Sequence, residues 1–234
     1  MIVLKQLASP PKFYAFASSV WPWLTGLGGL ILLAGLIVGL LVAPADAVQG
    51  EVYRAIYVHV ATAWMSMFLY LVACGYAVLH WVYRTNVSAV MMRAILPTGG
   101  WMTLVALVTG ALWGKPTWGT YWVWDARMTS ELLLLFIYLG LIALGQLAAD
   151  PSKSDRLLSI GLLLAAVNIP LIYFSVIFWN TLHQGYSVSL SGSHLDTSIA
   201  WGMWLSVLGV WFWCAGTVLN RARHLLVLRR GAFR

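Results

Sequence analysis

Charge is scarce in this chain of 234 residues: charged side chains make up 9 %, and only seven residues are acidic. A soluble domain carries about 25 %, so water is not the main solvent here. Cysteine is nearly absent. Cys74 and Cys214 each sit in an apolar run and form no C-x-x-C pair, which argues against dithiol chemistry and against a cysteine-built zinc site. Both read as small buried hydrophobes. The sequence has no GxxxxGK[ST] stretch, so ATP hydrolysis would have to come from another chain. It also has no readable nucleophile–base pair or metal–carboxylate cluster, which leaves an enzyme as the least supported class. Internal repeats and long linkers are lacking too, and residues 1–234 read as a single membrane domain.

What the chain has instead is long hydrophobic runs. Apolar residues make up 61 % of it, and about 20 of them in succession cross the roughly 30 Å of bilayer hydrocarbon. Six runs qualify: Trp21–Ala43, Ala55–Trp81, Arg93–Trp113, Thr129–Ala149, Leu157–Trp179 and Ile199–Leu219. None carries a charge near its middle. The expected fold is an all-α polytopic membrane protein with six transmembrane helices and a short interfacial tryptophan-rich segment, 114–128, in the third loop. The first run is too long for a signal-peptide core of about 7–15 residues and reads as a retained span. Pro170 lies inside the fifth run, where it removes a backbone hydrogen bond and should kink the helix. Asn168 beside it can satisfy a freed group or bond a neighbouring helix.

The net charge of +7 raises nucleic acid as a partner, but the distribution of the charges excludes it. Lys5, Lys12, Arg84, Arg93, Lys153, Arg156, Arg221, Arg223, Arg229, Arg230 and Arg234 are eleven of the fourteen basic residues. All of them fall in the two termini and the even-numbered loops, which the positive-inside rule makes cytoplasmic. The excess is therefore topological. The basic tail is expected to anchor on anionic lipid headgroups.

Three segments then face outward: 44–54, 114–128 and 180–198. The middle one is dense in aromatics. Trp118, Tyr121 and Trp122 follow i, i+3, i+4 spacing with Asp125 at i+7, so a helix would put them on one face, with Trp124 pointing elsewhere. An ordinary aromatic belt explains enrichment of tryptophan and tyrosine at the interface, and Trp21, Trp64, Trp81, Trp101 and Trp179 need no other reason. It explains less well an aromatic platform with Gly119 and the Asp125/Arg127 pair beside it. A planar, apolar ligand is the other reading.

Histidines sharpen the choice. His80 and His224 read as interfacial, and His194 is ambiguous. His59 sits about five residues into the second span, roughly 7 Å deep at 1.5 Å per residue. An ionisable group at that depth usually faces the bundle or a cavity. His183 lies just past the outer end of the fifth span, four residues after Trp179. Two imidazoles at similar depth could ligate one haem iron from opposite faces. Arg127 or Lys115 could pair with a propionate.

The stretch Trp118–Asp125 (WGTYWVWD), extended through Trp113–Phe136, resembles the tryptophan-rich signature of the haem-handling proteins of cytochrome c biogenesis. The segments around Tyr57-Val58-His59-Val60 and Trp179–Gly185 look like the same group. Together with the length, the six spans and the basic tail, they resemble the haem exporter protein C family. That resemblance covers nearly the whole chain and implies a non-enzymatic component of a bacterial inner-membrane transporter complex. It would hold haem b transiently at the periplasmic face and present it to a membrane-anchored haem chaperone, maturation protein E. Implied partners are an ATP-binding subunit, a second multispan subunit and a small single-span protein. By carry-over, His59 and His183 match the axial ligands, and Trp118, Trp122, Trp124 and Asp125 match the haem-contacting motif. Tyr121 and Arg127 join them from the aromatic face and the propionate argument.

Two other classes compete. A bis-histidine electron carrier would bury its haem between facing helices and keep it. A solute transporter or channel subunit would place polar or broken-helix sites near the midplane, where only Asn168 with Pro170 hints at one. Glu131, at the start of the fourth span, reads as a carboxylate favoured by the helix dipole.

Overall fold

The protein is described by a computed structural model covering residues 9–147, 150–179, 181–183, 188–189, 192–193 and 195–231. It is all-α but for one two-residue strand pair. The elements are α1 (Pro10–Ile37), α2 (Ile56–Tyr83), α3 (Asn86–Trp118), α4 (Ala126–Leu147), α5 (Pro151–Ala165), α6 (Asn168–Phe178) and α7 (Thr197–Gly231). The pair β1 (Val188–Ser189) and β2 (Gly192–Ser193) is antiparallel. A π-helical turn, Val38–Val42, extends α1, and a 3-10 turn, Glu51–Ala55, leads into α2. With α5 and α6 counted as one crossing, six helical segments of 22 to 33 residues among the described residues are long and apolar enough to span a bilayer.

Helix starts follow local chemistry. Proline occupies the first turn of α1 and α5, where its missing N–H costs nothing. Thr85 accepts the Ser88 amide at the start of α3, and Asp150 accepts the Ser152 amide at the start of α5, each satisfying an otherwise orphan donor.

The fifth crossing is broken at residues 166–167. Pro170 has no N–H to give the Ala166 carbonyl, and its ring would crowd that carbonyl. The Ala166 carbonyl accepts the Ile169 amide at 3.1 Å instead. Asn168 is buried, and its Nδ2 donates to the Ser130 carbonyl of α4 at 3.0 Å. Past the break the packing changes: α5 touches both α2 and α4, whereas α6 packs mainly on α4.

The most extensive contact joins the first and last helices, α1 and α7. It is a seam of glycines: Gly28 and Gly35 from α1, and Gly202, Gly209 and Gly216 from α7, in each helix seven residues apart. Without a hydrophobic force between helices in lipid, close backbone approach supplies dispersion contacts instead. A Cβ at Gly35 would lie 2.6 Å from the Ser206 nitrogen, and one at Gly202 would lie 2.9 Å from the Gly39 Cα. The seven-residue repeat keeps one face of each helix on the seam.

Lys12, Arg84, Arg93, Lys153, Arg156, Arg221, Arg223 and Arg229 lie toward the end of the bundle where α2 finishes and α3 begins. There the buried Asp155 carboxylate receives Arg93 Nε at 2.8 Å and both terminal nitrogens of Arg229 at 2.8 and 2.6 Å. His59 lies at the opposite end.

Replacing Gly209 by Val should lower the thermal stability of detergent-purified protein by about 1–3 kcal/mol, because the new carbons meet the Leu32 backbone. Gly75→Ala, where no atom lies within 4 Å of the new Cβ, should be neutral or slightly stabilising. Equal melting temperatures for the two variants would rule out the glycine seam as the closure of the bundle.

Candidate functional site

One cavity collects the chemistry at the His59 end. Its wall is built from three helices and the segment after α6. Helix α2 gives His59 and Ala63, and α3 gives Ala106, Gly110, Trp113, Thr117 and Trp118. Helix α4 gives Arg127, Met128 and Glu131, and His183 closes the wall. The cavity is half open and has a volume of about 60 Å³.

His59 is fixed by α3. Its Nδ1 lies 3.0 Å from the Ala106 carbonyl and 3.2 Å from the Thr109 hydroxyl. The hydroxyl itself donates to the Val105 carbonyl at 2.7 Å. A carbonyl only accepts, so Nδ1 carries the proton and Nε2 keeps its lone pair. Gly110 makes room for the ring: a Cβ there would sit 2.9 Å from His59 Cε1. Trp113 meets the same imidazole edge-on, with centroids 5.7 Å apart. Its own indole N–H donates to Gln49 Oε1 at 2.7 Å, and Tyr53 backs it edge-on at 5.6 Å.

His183 faces His59. Their ring centroids are 6.2 Å apart with planes tilted by 38°, and Trp118 lies 6.2 Å beyond His183. The His183 backbone N–H donates to Thr181 Oγ1 at 3.1 Å, and the Thr181 hydroxyl donates to Asp125 Oδ2. The other oxygen of Asp125 accepts the Met128 amide at 2.8 Å in the first turn of α4. Asp125 therefore ties the start of α4 to the segment that carries His183. Arg127 adds a second tie, donating to the Ile172 carbonyl of α6 at 3.0 Å.

Between residues 119 and 125 the tryptophan-rich segment is irregular rather than helical. Helix α3 runs through Trp118 and stops at Gly119, which takes the left-handed conformation at φ 80°, and residues 120–125 form no helix. The i, i+3, i+4 face of Trp118, Tyr121, Trp122 and Asp125 is therefore not formed. Glycine at a helix C-cap and aspartate at the next helix start are both strong local signals, and together they override the aromatic periodicity. Trp118 packs over Gly114 into the cavity. Tyr121 is 57 % exposed beneath the Lys115 ammonium at 5.3 Å. Trp124 is 76 % exposed and meets Trp122 edge-on at 5.3 Å. The buried indole N–H of Trp122 has no hydrogen-bond partner among the described residues.

Of the residues singled out from the sequence, His59, His183, Trp118 and Arg127 thus line one cavity. Tyr121, Trp122, Trp124 and Asp125 do not line it. His194 lies outside the described residues. Among those described, no three His, Cys, Asp or Glu side chains converge on a metal-sized site. Sequence reading missed Trp113 and Glu131. Glu131 is 8 % exposed, lines the cavity one turn beyond Arg127, and accepts the Ser66 hydroxyl at 2.9 Å. Helical spacing could have found both. Ala106, Gly110, Trp113 and Thr117 share one face of α3, and Arg127 and Glu131 share one face of α4.

A profile of the family "Heme exporter protein C" matches residues 3–233. Similar proteins include the "Heme exporter protein C" of Escherichia coli (strain K12), 42 % identical over 96 % of this chain and 91 % of the relative. The protein of the same name from Bradyrhizobium diazoefficiens is 41 % identical over 100 % of this chain and 86 % of its own length. A "Putative cytochrome c biosynthesis ccmC-like mitochondrial protein" of Marchantia polymorpha is 45 % identical over 68 % of this chain and 67 % of its own.

Thr181→Val keeps the shape of the side chain and removes the hydroxyl shared by Asp125 and His183. If the two imidazoles ligate a haem iron, its affinity should fall about 10–100-fold, read as haem retained through purification, with the melting temperature nearly unchanged. Full retention would show that His183 is positioned by other contacts.

Proposed function

This chain belongs to the heme exporter protein C family, and from that premise we propose that it grips haem between His59 and His183 at the outer rim of the membrane and hands it to a membrane-anchored haem chaperone. Family membership itself carries the coarser statement, that the protein handles haem for c-type cytochrome maturation as a multi-pass component of the inner membrane.

The observation that carries the finer reading is the facing imidazole pair. A ligated imidazole nitrogen stands about 2 Å from a first-row metal, so two rings on opposite sides of one ion have centroids roughly 6 Å apart. The observed separation is 6.2 Å. Ring tilt is no obstacle, because each imidazole can rotate about its own metal–nitrogen axis. The proton on His59 Nδ1 leaves Nε2 as the ligating atom, and the Ala106 carbonyl raises its basicity.

Haem brings an iron that takes imidazole axially and a large apolar disc. For this cargo Trp118 offers an indole face and Arg127 a cation for a propionate. Trp122 and Trp124, with Tyr121 and Asp125, follow Trp118 in the chain and would be met by the part of the disc that projects from the cavity. The cavity between the two imidazoles is half open to the outside. An edge of the disc would therefore stay exposed, within reach of a chaperone. That favours hand-over rather than burial.

The orientation that suits this function has both termini in the cytoplasm and the histidines toward the periplasm. Its support is the gathering of basic residues at the end away from His59. The ATP-binding subunit, a second multispan subunit and a small single-span protein complete the proposed assembly.

Purified with haem, the protein should give a bis-histidine absorption spectrum. His59→Ala and His183→Ala should each abolish it and reduce retained haem roughly tenfold or more, a loss of at least 1.4 kcal/mol. Two single variants with wild-type spectrum and haem content would refute the ligand pair. Trp122→Ala should keep the spectrum but slow loading of the chaperone. Undiminished loading would reduce the Trp122–Trp124 pair to an interface belt.

A further inference from the structure

At the opposite end of the bundle lies a second cavity that the haem reading does not use. It encloses about 370 Å³ and is walled by the end of α2, the start of α3, the start of α5 and the end of α7. Four cations, Arg84, Lys153, Arg156 and Arg229, share it with one carboxylate, Asp155.

The charges do not balance. Asp155 is buried and already holds two guanidinium groups, Arg229 in the wall and Arg93 behind it. Among the described residues, Arg84, Lys153 and Arg156 form no ion pair with a carboxylate. The nearby Asp150 carboxylate is engaged in capping α5. The positive end of the α5 dipole adds to the same field. Arg156 is held over the face of Trp81 at 5.4 Å, which fixes its guanidinium at the rim. Topology alone asks only that basic residues gather at this end of the spans. It does not ask that three of them converge on one cavity whose acid is already neutralised.

We propose that this cavity binds the phosphate of an anionic phospholipid, with Arg84, Lys153 and Arg156 as its ligands. A free phosphate ester shares the headgroup chemistry, but the surroundings favour the lipid. Trp81, Val82 and Tyr83 are 49, 62 and 68 % exposed beside the cavity and form an apolar surface along which acyl chains can lie. The cavity also sits at the level where the apolar part of the spans ends, which is where headgroups lie. The site joins α2, α3, α5 and α7, so a bound headgroup would clamp the ends of four helices.

The test uses the full chain in detergent, titrated separately with phosphatidylglycerol, cardiolipin, phosphatidylcholine and inorganic phosphate. Bound lipid is counted by native mass spectrometry, and stabilisation is read from thermal melting. The anionic lipids should bind at least about tenfold tighter than phosphatidylcholine. The combined variant Arg84→Gln, Lys153→Gln, Arg156→Gln should lose that preference. A control removing other charges at the same end, Lys12→Gln with Arg223→Gln, should keep it. Should the combined variant fail to fold, Lys153→Gln alone, at an exposed first-turn position, should weaken the anionic lipids several-fold. Equal loss in the control would overturn the site in favour of diffuse surface attraction. Stabilisation by inorganic phosphate equal to that by lipid would overturn the lipid assignment. None of these readouts involves haem, so they stand apart from the histidine pair.

Discussion

The hydrogen bond from His59 Nδ1 to the Ala106 carbonyl is the contact on which the site depends. An imidazole free to flip or change tautomer would offer either nitrogen, or neither, to a metal. The bond selects one tautomer and one ring plane, and Gly110 lets the ring approach α3 closely enough to form it. Trp113 then holds the ring from the side and is itself held by Gln49 and Tyr53. Five residues from three parts of the chain thus serve to aim a single nitrogen, in a region where stray polar groups would be costly.

The partner imidazole is held in another way. His59 stands on a helix, but His183 follows one, in a segment with little regular structure. Its position comes from a relay through Thr181 to Asp125, which also starts α4. One carboxylate thereby sets both the direction of a helix and the place of a loop. An aspartate in this motif has a structural task whether or not it touches cargo.

Much of the fold was legible in the sequence because lipid imposes blunt rules. Six long apolar runs without central charge could hardly be anything but spans, and Pro170 announced the break in the fifth. The tryptophan-rich segment misled: its periodicity suggested one helical face, but Gly119 and Asp125 are stop and start signals that leave no room for a helix between them. Glu131 was read as a dipole-favoured carboxylate. In the structure it stands past the first turn of α4, beyond the reach of the dipole; its place lining a cavity beside Arg127 depends on how α4 is rotated against α2, and a tertiary rotation leaves no local trace. The Asp125–Thr181 link was hidden for the same reason, since 56 residues separate its ends. The glycine seam was visible as a spacing of seven, but its meaning depended on knowing that the first and last helices meet.

That seam bears on how the protein is made. Helix α1 leaves the ribosome well before α7, yet each supplies the other's largest interface. The earlier span must wait in lipid, its glycine groove facing acyl chains or an insertion factor, until α7 has been synthesised. Closure of such a sequence-distant pair is slow by its loop-closure cost. Assembly quality control therefore has a natural checkpoint, since a truncated product lacking α7 would leave that groove unfilled.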